Sequence, residues 1–252
     1  KSRSRGLGDV YKRQHIMLPE IDIEGQKSIS SSRIAVVGLG GLGCSASVYL
    51  TASGIGELNL IDNDFIDLTN LQRQILFSEV DLNKKKVEIA EKKLLSLNDS
   101  VKVNSKNIRL DNSNIDEILE GSELILDCTD NFETRKAINA YCLNEKKILI
   151  SGSSQGWKGQ FFTLDFRNEN SPCYQCFFED LNGEDLSCRE SSIFSPLVGI
   201  IGSFMASELI KKVVSIGELK SEMIEIDLIQ NKFNRLNLRK NKNCLLCSKV
   251  KK

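Results

Sequence analysis

Apolar and polar residues follow two different rhythms along this chain, and the changes of rhythm mark out its elements. Residues 33–38 (RIAVVG), 57–62 (ELNLID), 123–127 (ELILD) and 148–151 (ILIS) are short apolar runs, rich in branched side chains. Strands of a parallel sheet read this way when helices cover both of its faces. Residues 44–53 (CSASVYLTAS) read as a helix after the first run, and residues 84–90 (KKKVEIA) open an amphipathic helix. Residues 160–165 (QFFTLD) pair with 148–151, while 223–227 (MIEID) and 232–238 (KFNRLNL) read as later antiparallel strands. Residues 197–214 are the most apolar helical stretch, yet they include Glu208, Lys211 and Lys212. A bilayer span needs about 20 consecutive apolar residues, so this stretch is expected in the core. The alternation of strands and helices predicts a Rossmann-like, doubly wound α/β sheet, mostly parallel, with an antiparallel C-terminal extension.

Chemistry enters at the first strand–helix junction. Gly38, Gly40, Gly41 and Gly43 (GLGGLG) lie between strand and helix, and Asp62 ends the next strand. A G-x-G-x-x-G turn followed by an acid about 20 residues on is a nucleotide-binding pattern. The glycines let the backbone approach phosphate, the helix N-terminus favours negative charge, and the acid accepts hydrogen bonds from a ribose. On these residues alone the pattern suggests NAD, with a tight strand–helix turn that binds no ligand as the competing reading. Asn70 and Arg73, in residues 69–74 (TNLQRQ), fall near the phosphate end. Lys86 sits in a lysine run that elsewhere would be a solvated face. Asp130 and Asn131 (CTDN) follow another strand, where a carboxylate could hold Mg²⁺ against phosphates or cap the next helix.

A second centre comes from the cysteines. Cys173 with Cys176 and Cys244 with Cys247 form two C-x2-C pairs, the donor set of a tetrahedral Zn²⁺ site. Their separation far exceeds the roughly 15–20 residues of a zinc ribbon. The metal would therefore tie a mid-chain loop to the C-terminal tail and close one domain. Unrelated pairs of buried or redox thiols are the competing reading. Cys44, Cys128 and Cys142 stand in apolar or helical context and are expected as small core residues.

Charge and composition narrow the function classes. With 34 basic and 34 acidic residues the chain is neutral, which argues against a sequence-independent nucleic-acid binder. Eight cysteines in 252 residues are too few for a disulfide scaffold. Metal-type pairs and no evident signal peptide point to a reducing cytoplasm, with no membrane association. The one histidine, His15, lies near the start of the chain, which argues against Ser-His-Asp or Cys-His catalysis. Residues 1–14 (KSRSRGLGDVYKRQ) differ in composition from the rest and are expected to be a non-native leader. Residues 15–252 form a single domain, with a nucleotide-binding half (33–150) and a zinc and docking half (151–252).

Taken in order, GLGGLG, DLTNLQRQ, KKKVE, DCTDN, PCYQC, the Ser187–Cys188 pair, SPLVGIIGS and the final CLLC resemble the MoeB/ThiF family. These are bacterial relatives of the ubiquitin-activating enzymes, and the resemblance runs from about Ile16 to the C-terminus. It implies an adenylyltransferase that uses ATP and Mg²⁺ to activate the C-terminal glycine of a ubiquitin-like sulfur-carrier protein ending in Gly-Gly, in molybdopterin or thiamine synthesis. It also implies a homodimer with structural Zn²⁺ on Cys173, Cys176, Cys244 and Cys247. Carried over residue by residue, it places Gly41, Asp62, Asn70, Arg73, Lys86 and Asp130 around ATP and Mg²⁺. Cys188 falls where some members link covalently to the carrier, although Arg189 and Glu190 follow it in place of a small residue and glycine. The family's N-terminal arginine is matched by Gln14, with Arg13 one residue upstream. Two other readings stand beside this one: an NAD-dependent oxidoreductase, and a zinc-stapled scaffold of the same fold without catalysis.

Overall fold

A computed structural model describes residues 12–178, 192–217 and 221–248. A short helix α1 (Arg13–Ile16) and helix α2 (Asp22–Ser31) precede the sheet. The first parallel unit is β1 (Arg33–Val37), α3 (Gly41–Ala52) and β2 (Glu57–Ile61). Next come α4 (Lys86–Leu97), β3 (Lys102–Lys106), α5 (Ile115–Leu119), β4 (Leu124–Asp127) and α6 (Phe132–Asn144). The hairpin β5 (Ile148–Gln155) and β6 (Lys158–Asp165) leads on to α7 (Ser195–Val213), β7 (Glu222–Asp227) and β8 (Lys232–Asn237).

All eight strands form one sheet in the order β3-β2-β1-β4-β5-β6-β7-β8. The first five are parallel and the last four pair antiparallel, as the apolar runs and the later alternation predict. Successive side chains of a strand point to opposite faces, and both faces are covered here. Ile34, Val36, Leu124 and Leu126 pack on the side of α3 and α7, while Ala35, Val37 and Ile125 pack on the side of α6. Burial on both faces is why these strands read as continuous apolar runs. The stretch expected in the core is α7, whose Leu197, Ile201, Met205 and Leu209 are buried. No helix among the described residues is long and apolar enough to cross a membrane.

Chain order reverses between β1 and β4, because β1 connects outward to β2 and the chain returns past it to β4. Such a reversal opens a crevice at the carboxyl ends of the two strands, where open α/β sheets bind ligands. The two ends are joined directly: the Cys128 N–H donates to the Val37 carbonyl at 2.8 Å. The sequence patterns miss β3, a polar edge strand with only Val103 buried. They also give β5 and β6 as shorter than they are, because the added residues are polar or glycine and carry no apolar run, although Gly152 and Gly159 lie close against Met205 and Ile201 of α7.

Candidate nucleotide site and four-cysteine centre

The glycine turn is built by close backbone approach. Gly38 has a φ of 92°, and a Cβ there would lie 2.8 Å from the Cys128 carbonyl oxygen. At Gly43 a Cβ would come within 1.9 Å of the Gly38 carbonyl oxygen, and at Gly41 within 2.5 Å of Val198 on α7. These three glycines allow the turn to fold against its neighbours. Gly40, the residue before α3, differs: a Cβ there would meet nothing within 4 Å. Packing does not require that glycine. It leaves the N-terminus of α3 facing open space, which is the geometry a phosphate needs.

Charged side chains gather around this turn. The Asp62 carboxylate accepts from the Leu39 N–H at 2.6 Å and from the Asp64 N–H at 2.7 Å, one bond on each oxygen. Burial pushes its pKa up, while the charge of Lys86 and these two N–H bonds pull the other way. Each carboxylate oxygen keeps a second lone pair for a ribose hydroxyl. Lys86 is buried, at 4% exposure, in the first turn of α4, and its Nζ donates to Asp64 Oδ2 at 2.8 Å. The neighbouring Lys84 and Lys85 reach solvent, so the lysine run is a solvated face except at this residue. A helix N-terminus repels cations, and stability alone would not place one there.

Arg73 stands after the 3-10 turn Leu68–Asn70. Its guanidinium donates to the Thr69 carbonyl at 3.1 Å and to Asn70 Oδ1 at 3.2 Å, and Gln74 donates to the same Asn70 oxygen at 2.9 Å. Asn70 therefore orients Arg73. The Arg73 carbonyl lies 3.3 Å from the Cβ position of Gly41, which brings this loop against the glycine turn.

The β4 end supplies the last member. Asn131, not Asp130, caps α6: its Oδ1 accepts from the Thr134 N–H at 2.9 Å. The capping reading thus passes to Asn131, and no contact with a nucleotide is needed to account for it. Asp130 is exposed, with no side-chain hydrogen bond or ion pair among the described residues. The residue before it is held on both sides. Thr129 donates through its N–H and hydroxyl to Asp127 Oδ1 at 3.0 and 2.6 Å, and its carbonyl accepts from Arg135. Sequence reasoning passed over Asp64, Asp127, Arg135 and Ser151. An acid closing an otherwise apolar strand, as Asp127 does, was the available signal.

At the other centre, Cys173, Cys176, Cys244 and Cys247 bring all four sulfur atoms within 4.8 Å of one another. Sulfur–sulfur distances are 3.8 Å for Cys173–Cys176 and 3.5 Å for both Cys173–Cys244 and Cys176–Cys247. Four thiolates at about 2.3 Å from a tetrahedral Zn²⁺ would be about 3.8 Å apart. The donor set and spacing fit that ion. A hydrogen bond between the two thiols lowers the pKa of Cys176 and raises that of Cys173. The centre is anchored to α6, where buried Asn139 accepts the Tyr174 N–H at 2.8 Å. Cys44, Cys128 and Cys142 are buried core residues, and burial pushes the Cys44 thiol up to about 12. Cys188 lies outside the described residues.

Comparison with known proteins agrees with this architecture. The ThiF family profile matches residues 11–246. A molybdopterin-synthase adenylyltransferase of Salmonella typhimurium is 39% identical over 238 residues, covering 94% of this chain and 95% of that protein. The sulfur carrier protein ThiS adenylyltransferase of Escherichia coli K12 is 35% identical over 237 residues, covering 94% of each. The crystal structure of E. coli MccB with ATP has a TM-score of 0.78 at 26% identity, covering 89% of this chain and 69% of that one. By a match that spans nearly its whole length, the chain belongs to the ThiF family.

Proposed function

We propose that this protein catalyses ATP-dependent adenylation of the C-terminal glycine of a ubiquitin-like sulfur-carrier protein. The observation that carries the reading is the surroundings of the open glycine turn. Buried Lys86 lies against Asp64, Arg73 is oriented by Asn70, and Asp130 keeps its carboxylate free. Names of the relatives support the same class, because they are adenylyltransferases of molybdopterin synthase and of a sulfur carrier protein.

The chemistry asks little of a general base. A C-terminal carboxyl group has a pKa of about 3.3–3.7, so at neutral pH it is already a nucleophile. Its oxygen attacks the α-phosphorus of ATP, the bond from that phosphorus to the bridging oxygen breaks, and pyrophosphate leaves. The product is an acyl-adenylate, and no proton has to move. The protein's task is alignment and charge neutralisation. Arg73 presents a planar fork, and Lys86 a compact charge, to phosphate oxygens. The N-terminus of α3 and the bare backbone at Gly40 receive phosphate, and Asp62 receives the ribose. Asp130 would hold Mg²⁺, which would supply positive charge to offset that of the phosphates. Zn²⁺ on the four cysteines would be structural, since a closed set of protein ligands leaves no open position. An NAD-dependent oxidoreductase would share the glycine turn but gives no reason for a lysine buried at a helix N-terminus.

A carrier of molybdopterin synthesis is favoured over one of thiamine synthesis, on relatives of 37–39% identity against 35%. The reading includes a homodimer acting in the cytoplasm. Carrier-dependent ATP–pyrophosphate exchange tests it with candidate carriers ending in Gly-Gly. Exchange with the molybdopterin carrier but not the thiamine carrier is the expected result. Absence of exchange with every carrier would refute adenylation and leave a zinc-stapled scaffold.

A further inference from the structure

Beneath the turn that carries Asp130 lies a polar network that the reaction itself does not use. Asp127 and Arg135 are both buried, at 1% and 7% exposure, and both reach the hydroxyl of Ser151, which has none. The Ser151 hydroxyl donates to Asp127 Oδ2 at 2.7 Å and accepts from Arg135 Nη1 at 3.5 Å. Arg135 also donates to the Gly152 carbonyl at 2.9 Å. The carboxylate holds the N–H and hydroxyl of Thr129, and the guanidinium holds its carbonyl. With Thr129 fixed before it and the cap Asn131 after it, Asp130 has a clamped backbone and a free side chain.

We propose that Ser151 is a positioning residue for Asp130. It bridges the Asp127 carboxylate to the Arg135 guanidinium and so sets where the Asp130 carboxylate stands for a divalent cation on the nucleotide phosphates. The inference rests on the nucleotide reading above. A buried carboxylate and a buried guanidinium each need full hydrogen bonding, because an unsatisfied charge in the interior is costly. Ser151 lies on β5, the strand beside β4, with Asp127 and Ser151 in direct register. Removing its hydroxyl would leave one Asp127 oxygen without its donor and loosen the hold on Thr129. Ser151 acts through Asp127 and Thr129, so its effect is expected at the low end of the about 10–100-fold that direct partners of a metal ligand contribute to metal affinity.

The test uses Mn²⁺ as the probe. Its binding is followed by electron paramagnetic resonance in the presence of a non-hydrolysable ATP analogue. Ser151→Ala is expected to weaken Mn²⁺ by about 10-fold, while analogue binding in EDTA stays as in the unaltered protein. Asp127→Asn, which keeps the side-chain shape, is expected to weaken Mn²⁺ in the same way and serves if the first variant does not fold. Ser47→Ala controls for loss of a buried hydroxyl, because Ser47 is buried with no hydrogen-bond partner, and it should leave Mn²⁺ binding unchanged. Unaltered Mn²⁺ affinity in both network variants, whatever happens to their thermal midpoints, would make Ser151 merely structural and overturn the proposal. Failure of the unaltered protein to bind Mn²⁺ with the analogue would instead overturn the nucleotide reading, and this inference with it.

Discussion

Lys86 and Asp130 stand at opposite extremes of environment, and each departs from what stability would choose. Lys86 is a buried cation at the positive end of a helix, held by one carboxylate. Lys86→Met should lower pyrophosphate exchange by about 10²–10³-fold, the usual loss on removing one preorganised group from a transition state. The thermal midpoint should hold or rise, which a differential scan would show. Asp130→Ala should abolish exchange without altering the fold, because the side chain is exposed and makes no hydrogen bond or ion pair among the described residues. Normal exchange by that variant would remove Asp130 from the mechanism. Asp81 makes the contrasting case of a structural carboxylate. Burial pushes its pKa up, but hydrogen bonds from Lys93 and Ser78 outweigh that and hold it below the usual carboxylate value. Its folded pKa lies below the unfolded value of about 3.9. The stabilisation is therefore complete above that value and is lost as pH falls through the folded pKa. Asp81→Asn should flatten the acid limb of a stability–pH curve and leave exchange near pH 7 unchanged.

Elements carry these residues to their places, and α6 does so twice. Its cap follows Asp130, while Asn139, one turn beyond Arg135, accepts the Tyr174 N–H of the first cysteine pair. Residues four apart share one face of a helix, so a single face addresses both the nucleotide side and the metal side. Asn131→Ala should destabilise the protein by about 1 kcal/mol, as loss of an N-cap does, in a urea titration. The β1–α3–β2 unit was legible in the sequence because its pattern is local: an apolar strand, a glycine turn and an acid at the next strand end. Polar β3 was not legible, because an edge strand buries little and leaves no apolar signature.

For the whole molecule, the two cysteine pairs join distant stretches of chain. One follows β6 and the other follows β8, so a bound ion would hold the C-terminal tail to the body of the domain. The purified protein should contain one Zn²⁺ per chain by elemental analysis. A strong chelator, or Cys244→Ser, should lower the thermal midpoint while β1 to β5 stay protected in hydrogen exchange. Equal protection across the tail after metal removal would show that packing alone holds it. Sedimentation should give twice the mass of the 28.2 kDa chain if the homodimer is correct.

By itself, the sequence determined the parallel α/β architecture, the glycine turn and the cysteine pairs. Each depends on spacing within a few residues, or on donors so specific that distance along the chain does not obscure them. Tertiary structure decided how the polar residues within those motifs are housed. It separated Lys86 from Lys84 and Lys85 by burial, gave the helix cap to Asn131 and so left Asp130 free, and joined Asp127, Ser151 and Arg135 across two strands and a helix. Burial and hydrogen-bond partnership belong to the packed chain, because they depend on neighbours that folding alone brings together.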